Sequence, residues 1–77
     1  MTRRRRNATY ALCVNNEGYE ASLELRKLYQ ILPPEPNDPE GWLRVVDESG
    51  EDYLYSGERF APLTLPREIE QAVEATF

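Results

Sequence analysis

The sequence predicts a mainly β fold: one small barrel-like domain of about five short strands, closed by a C-terminal α-helix. Three observations carry this expectation. Residues 41–55 hold two apolar, β-rich runs around a short acidic loop with Gly50 in it, which is the pattern of a β-hairpin. Four prolines among residues 33–39 stop any helix or ladder there. The end of the chain, from Pro66, carries apolar residues at a helical spacing behind a proline suited to a first helical turn.

The elements follow in chain order. Residues 1–7 hold Arg3, Arg4, Arg5 and Arg6 and read as a disordered basic arm, with residues 8–77 as a single small domain. Tyr10-Ala11-Leu12-Cys13-Val14 is a short strand, and Asn15-Asn16-Glu17-Gly18 a turn. Over residues 20–32 the pattern alone leans towards a helix: Leu25, Leu28, Tyr29 and Leu32 share one helical face, and Ser22 is a suitable cap. Alternation through Leu23, Leu25, Tyr29 and Ile31 is broken by Lys27. After the proline loop, Trp42, Val45, Val46, Tyr53 and Tyr55 are strand-favouring types. Gly50 supplies the positive φ of the hairpin loop. Residues 56–60 read as a turn, and residues 61–65 as an edge strand that tolerates Pro62. In the final helix Leu65, Ile69, Ala72, Val73 and Phe77 align on one face, which must dock because so short a helix is marginal alone.

Composition narrows the function. The chain has 77 residues and a net charge of −5. The four arginines of the arm contribute +4, so the remainder carries −9. An acidic body repels phosphates and anionic membranes and suits a basic partner. There is no histidine, which removes histidine bases, Ser-His-Asp triads and most zinc sites. A lone cysteine, Cys13, forms no disulfide within the chain and fits a cytoplasmic location, with the thiol as a small buried apolar group. No apolar run approaches the length of a membrane span, and none follows the arginines as a secretory signal would require.

Two groups of residues are candidates for a site. Asp47, Glu48, Glu51 and Asp52 cluster at the hairpin tip; their spacing departs from a calcium loop, and they read as solvated turn residues rather than ligands or acids for catalysis. Trp42 and Arg44 on one strand, with Tyr53 and Tyr55 on the next, have the composition of a recognition surface. The alternative for the aromatics is a place in the core. The two Pro-x-x-Pro spacings of the proline loop read as a stiff connector.

Leu28-Tyr29-Gln30-Ile31-Leu32, residues 41–55 and Phe60 together resemble a family of short, uncharacterised bacterial SH3-like β-barrel proteins. The proline expected after the last tyrosine is Ser56 here. The resemblance implies an SH3-like barrel and a strand over residues 25–32, and the expectation for that segment follows it. Such barrels host peptide, protein and nucleic-acid binding alike, so fold does not fix the role.

The expected function is therefore a non-enzymatic protein-binding module without a cofactor. The partner expected is a basic or proline-rich segment, met by an aromatic and acidic surface of Trp42, Arg44, Tyr53, Tyr55, Asp47, Glu48, Glu51 and Asp52. The alternatives are a nucleic-acid-associated accessory protein using Arg3, Arg4, Arg5 and Arg6, or a structural subunit whose helix face packs on a neighbour.

Overall fold

The computed structural model describes residues 9–76. Five strands form one antiparallel sheet: β1 (Thr9–Cys13), β2 (Leu28–Leu32), β3 (Trp42–Val46), β4 (Asp52–Ser56) and β5 (Phe60–Leu63). Their order across the sheet is β4-β3-β2-β1-β5. A 3-10 turn, Gly57–Arg59, joins β4 to β5, and one helix, α1 (Arg67–Glu74), follows. The mainly β fold with a C-terminal helix is thus present. The hydrogen-bonded ladder does not close into a ring, because β4 and β5 remain its two edges.

That order forces the sheet to curl. The edges of a flat five-stranded sheet stand about 19 Å apart. The steps from Ser56 to Phe60 span at most about 14 Å. The two edges therefore approach at the 3-10 turn, where the rings of Tyr55 and Phe60 meet edge to face at 6.2 Å. Gly57 is needed at this corner: its N–H donates to the Gly41 carbonyl at 2.9 Å, and a Cβ would lie 2.8 Å from that oxygen.

The concave face holds the core. Ala11 and Cys13 of β1, Tyr29 and Ile31 of β2, Val45 of β3, Tyr55 of β4 and Phe60 of β5 are buried together, with Leu43 packed against them. Their spacing along each strand is the period-two pattern of a shared buried face; β1 also buries Tyr10 on its other side. Cys13 is a fully buried free thiol.

The segment between β1 and β2 contributes a further core residue. Leu23 is wholly buried although it lies in a loop. Its N–H donates to the Tyr19 carbonyl, and its carbonyl accepts from Asn16 Nδ2. The Glu48 N–H donates to the Ser22 carbonyl at 3.1 Å and pins this loop to the β3–β4 turn. The segment is a chain of turns rather than a helix, and β2 begins at Leu28 rather than at residue 25. The cause is local: Arg26 adopts φ 61°, while its N–H donates to the Cys13 carbonyl at 2.7 Å. That left-handed step ends extended pairing on its N-terminal side.

The β3–β4 hairpin follows the sequence expectation. Gly50 has φ 86°, and its N–H closes the turn on the Asp47 carbonyl at 2.9 Å. The expectation for α1 is corrected. None of its residues is buried. Ile69 is 49% exposed and Ala72 is exposed, while Glu70, Val73 and Glu74 are the half-buried positions. The Ile69–Ala72 side faces outward rather than into the core.

Candidate partner-binding surface

The register of the hairpin decides which expected site residues share a surface. Val45 pairs with Tyr53 and Leu43 with Tyr55, while Trp42 pairs with Ser56 and Arg44 with Leu54. Directly paired residues lie on the same face. Tyr53 and Tyr55 are therefore on the concave side, and Trp42 and Arg44 on the convex side. The four do not form one aromatic face. Tyr55 is a core residue, 5% exposed, whereas Tyr53 lies on edge strand β4 and is 50% exposed.

The acidic quartet at the hairpin tip is mostly engaged within the fold. Asp47 is buried. Its Oδ1 accepts from Ser49 N–H at 2.9 Å and Ser49 Oγ at 2.6 Å, and its Oδ2 accepts from Tyr55 Oη at 2.7 Å. Burial opposes ionisation of Asp47, but the Ser49 and Tyr55 donors outweigh it and hold the carboxyl below its ordinary pKa. Burial and the Asp47 carboxylate push Tyr55 up to about 12, against a hydrogen bond with the Ser22 hydroxyl. Tyr19 packs edge-on against Tyr55 at 5.1 Å, and the Arg59 guanidinium sits 4.5 Å over the Tyr19 ring. Arg59 Nη1 also donates to the carbonyls of Asn15 and Glu17.

Glu48 Oε2 accepts from both Lys27 Nζ and Tyr29 Oη, while Tyr29 Oη accepts from the Glu24 N–H at 2.8 Å. The Lys27 ammonium first, then the Tyr29 hydroxyl, lowers the Glu48 pKa. Glu48 in turn raises that of Lys27. Burial and Glu48 raise that of Tyr29. The Glu51 carboxylate accepts a long bond from Tyr53 Oη, at 3.3 Å. Asp52 is one wall of a clamp on Arg44.

That clamp fixes the loop between β2 and β3. Arg44 Nε and Nη2 donate to the two oxygens of Asp38, at 3.0 and 2.7 Å, and Nη1 donates to Asp52 at 2.9 Å. The fork suits a guanidinium better than an ammonium. Asp38 also accepts from the Glu35 N–H at 2.9 Å. Arg44, and then the Glu35 N–H, lower the Asp38 pKa. The prolines stiffen the loop, and Asp38 anchors its middle to the sheet.

What this leaves open is a groove beside Trp42. It has a volume of about 380 Å³ and is walled by Thr9, Ile31, Leu32, Pro33, Pro34, Trp42, Leu43 and Arg44. The walls are mostly apolar. Trp42 is 46% exposed and shares the groove with the rigid Pro33 and Pro34. Glu35 and Glu40, both exposed, stand on the same loop.

Trp42 and Arg44 are the expected site residues that the groove brings together; Tyr53, Tyr55 and the acidic quartet lie elsewhere. Arg3, Arg4, Arg5 and Arg6 lie outside the described residues. The proline walls were visible in the sequence only as a connector. The Asp38–Arg44 clamp and the Arg59–Tyr19–Tyr55 stack carried no local pattern at all. Among the described residues, no cluster of three or more metal-ligating side chains is assembled, and no helix is long and apolar enough to cross a membrane. Comparison of the chain with family models, with curated proteins and with solved structures found no match.

Proposed function

We propose that this chain is a non-enzymatic protein-binding module of the SH3-like barrel type, taking a basic or proline-rich extended segment in the Trp42 groove. The single observation that carries the reading is the groove itself: a half-exposed tryptophan sharing its walls with two rigid prolines. Aromatic and proline surfaces offer contact area with little side-chain entropy to lose. The barrel type is supported by the strand order, by the curl that the 3-10 corner imposes, and by the resemblance of residues 28–32 and 41–55. A basic partner is supported by the acidic body and by Glu35 and Glu40 on the groove's loop. A cytoplasmic setting fits the lone cysteine, and the family resembled is bacterial.

The test is a titration of the isotope-labelled full chain with short synthetic peptides: proline- and arginine-rich, arginine-rich without proline, and acidic. The expected result is saturable shifts of the Trp42 indole and of the amides of residues 31–34 and 42–44 with the first peptide, weaker shifts with the second, and none with the third. Unmoved groove resonances at millimolar peptide would refute the reading.

One observation favours a second reading, a structural subunit. The outward Ile69–Ala72 side of α1 is the kind of face a neighbouring subunit covers. Analytical ultracentrifugation of Ile69→Glu against the native chain tests it: an assembly that dissociates on substitution supports this reading, and an unchanged mass refutes self-association through α1.

A further inference from the structure

We infer that the arginine arm of this same chain is an intramolecular ligand of the Trp42 groove, so that an external basic segment must displace it. The inference rests on the groove being a recognition surface, and three observations carry it. Thr9 is both the point where the chain enters the described fold and a wall of the groove. Thr9 pairs with Ile31 in the antiparallel β1–β2 ladder. Ile31 walls the groove as well. The chain before Thr9 thus has its tether at the groove's own rim. Arg6 is within about 10 Å of that tether and Arg3 within about 20 Å.

The second observation is charge. The arm carries +4 against −9 for the rest of the chain, and Glu35 and Glu40 are exposed on the adjoining loop. The groove's own cation, Arg44, is already matched by Asp38 and Asp52 and lies 3.7 Å from Glu35, so it opposes an incoming arginine little and leaves Glu40 as the loop carboxylate that Arg44 does not engage. The third is the Trp42 ring, whose open half is a surface on which a guanidinium stacks. A short tether makes the local concentration of the arm high. Weak individual contacts then suffice to keep it in place.

The experiment compares the native full chain with the full-length variant Arg3→Gln/Arg4→Gln/Arg5→Gln/Arg6→Gln. Acrylamide quenching reads the only tryptophan of the chain, and the probe ligand is a synthetic proline- and arginine-rich peptide. An arm that fills the groove nine-tenths of the time lowers the apparent peptide affinity about tenfold. The expected result is therefore a more quenchable Trp42 and roughly tenfold tighter peptide binding in the variant, both differences vanishing at high salt. Equal quenching of the two proteins would overturn the inference, and equal peptide affinity with it would leave the groove reading standing. Different quenching with no peptide binding to either protein would support the arm assignment and remove the external partner instead. A quenching difference that grows with protein concentration would put the arm in a second copy and overturn the intramolecular assignment.

Discussion

Asp47→Ala is the substitution whose cost the structure fixes most directly. Asp47 closes the hairpin loop through both donors of Ser49 and caps the Tyr55 hydroxyl inside the core. Removing the carboxylate leaves that hydroxyl with only Ser22 to turn to, which costs about 1–3 kcal/mol for a buried donor. Losing the two Ser49 bonds, which water partly replaces, adds roughly 0.5–1.5 kcal/mol. The sum of about 1.5–4.5 kcal/mol is a large share of the roughly 4–12 kcal/mol typical of a domain this size. Tyr55→Phe keeps the ring in the core and leaves Asp47 its Ser49 donors, so it should cost about 1 kcal/mol. Urea unfolding of both single variants and the double variant gives the coupling, expected at about 1 kcal/mol or more because the residues are in direct contact. A loss below about 0.5 kcal/mol for Asp47→Ala, or strictly additive variants, would refute the reasoning.

Leu23→Ala should cost about 2–5 kcal/mol, as for a core strand residue, because this loop leucine is wholly buried; a midpoint shift typical of a surface site would remove it from the core. Asp38, Asp47 and Glu48 have folded pKa values below the ordinary range, so their stabilisation is complete above the unfolded carboxylate range near pH 4 and is lost as pH falls through the folded values. The urea midpoint should decline below about pH 4.5, less steeply in Asp47→Asn; a flat acid limb would contradict this. At the other end Tyr55 is held up to about 12 and Tyr29 is raised as well, so the unfolded chain ionises first and stability should fall as pH rises above about 10. Absorbance at the tyrosinate band, followed alongside unfolding, checks it: tyrosines all ionising at the ordinary value in the folded protein would contradict the buried contacts.

The central hairpin was legible because its alternation, its acidic turn and the positive φ of Gly50 all point the same way. Period-two patterning also indicated that Trp42 stands apart from Leu43 and Val45. It did not show that Tyr53 and Tyr55 lie on the opposite face from Trp42, because that follows from cross-strand register, which is a long-range property. The start of β2 was misplaced since only the Arg26 backbone interrupts an otherwise continuous run. Leu23 was invisible as a core residue: burial of a loop side chain is set by where the loop lands, not by its local period. For α1 the apolar spacing was real, yet Ile69 and Ala72 are exposed while Leu65 and Val73 are half-buried. Periodicity identifies a face but not what covers it. The groove was missed as a unit because its walls come from three strand ends and the proline loop, and the contacts that bring the loop against the sheet, the Asp38–Arg44 clamp first among them, carry no local pattern.

The most direct test of the groove is Trp42→Ala in the full chain, with folding followed by urea unfolding and binding of a proline- and arginine-rich peptide followed by calorimetry. Trp42 is half exposed on the convex side, so the variant should still unfold cooperatively, with a loss of no more than about 2 kcal/mol. Loss of a central aromatic anchor should weaken peptide binding by about thirtyfold or more. A folded Trp42→Ala variant that binds the peptide as tightly as the native chain would contradict the account.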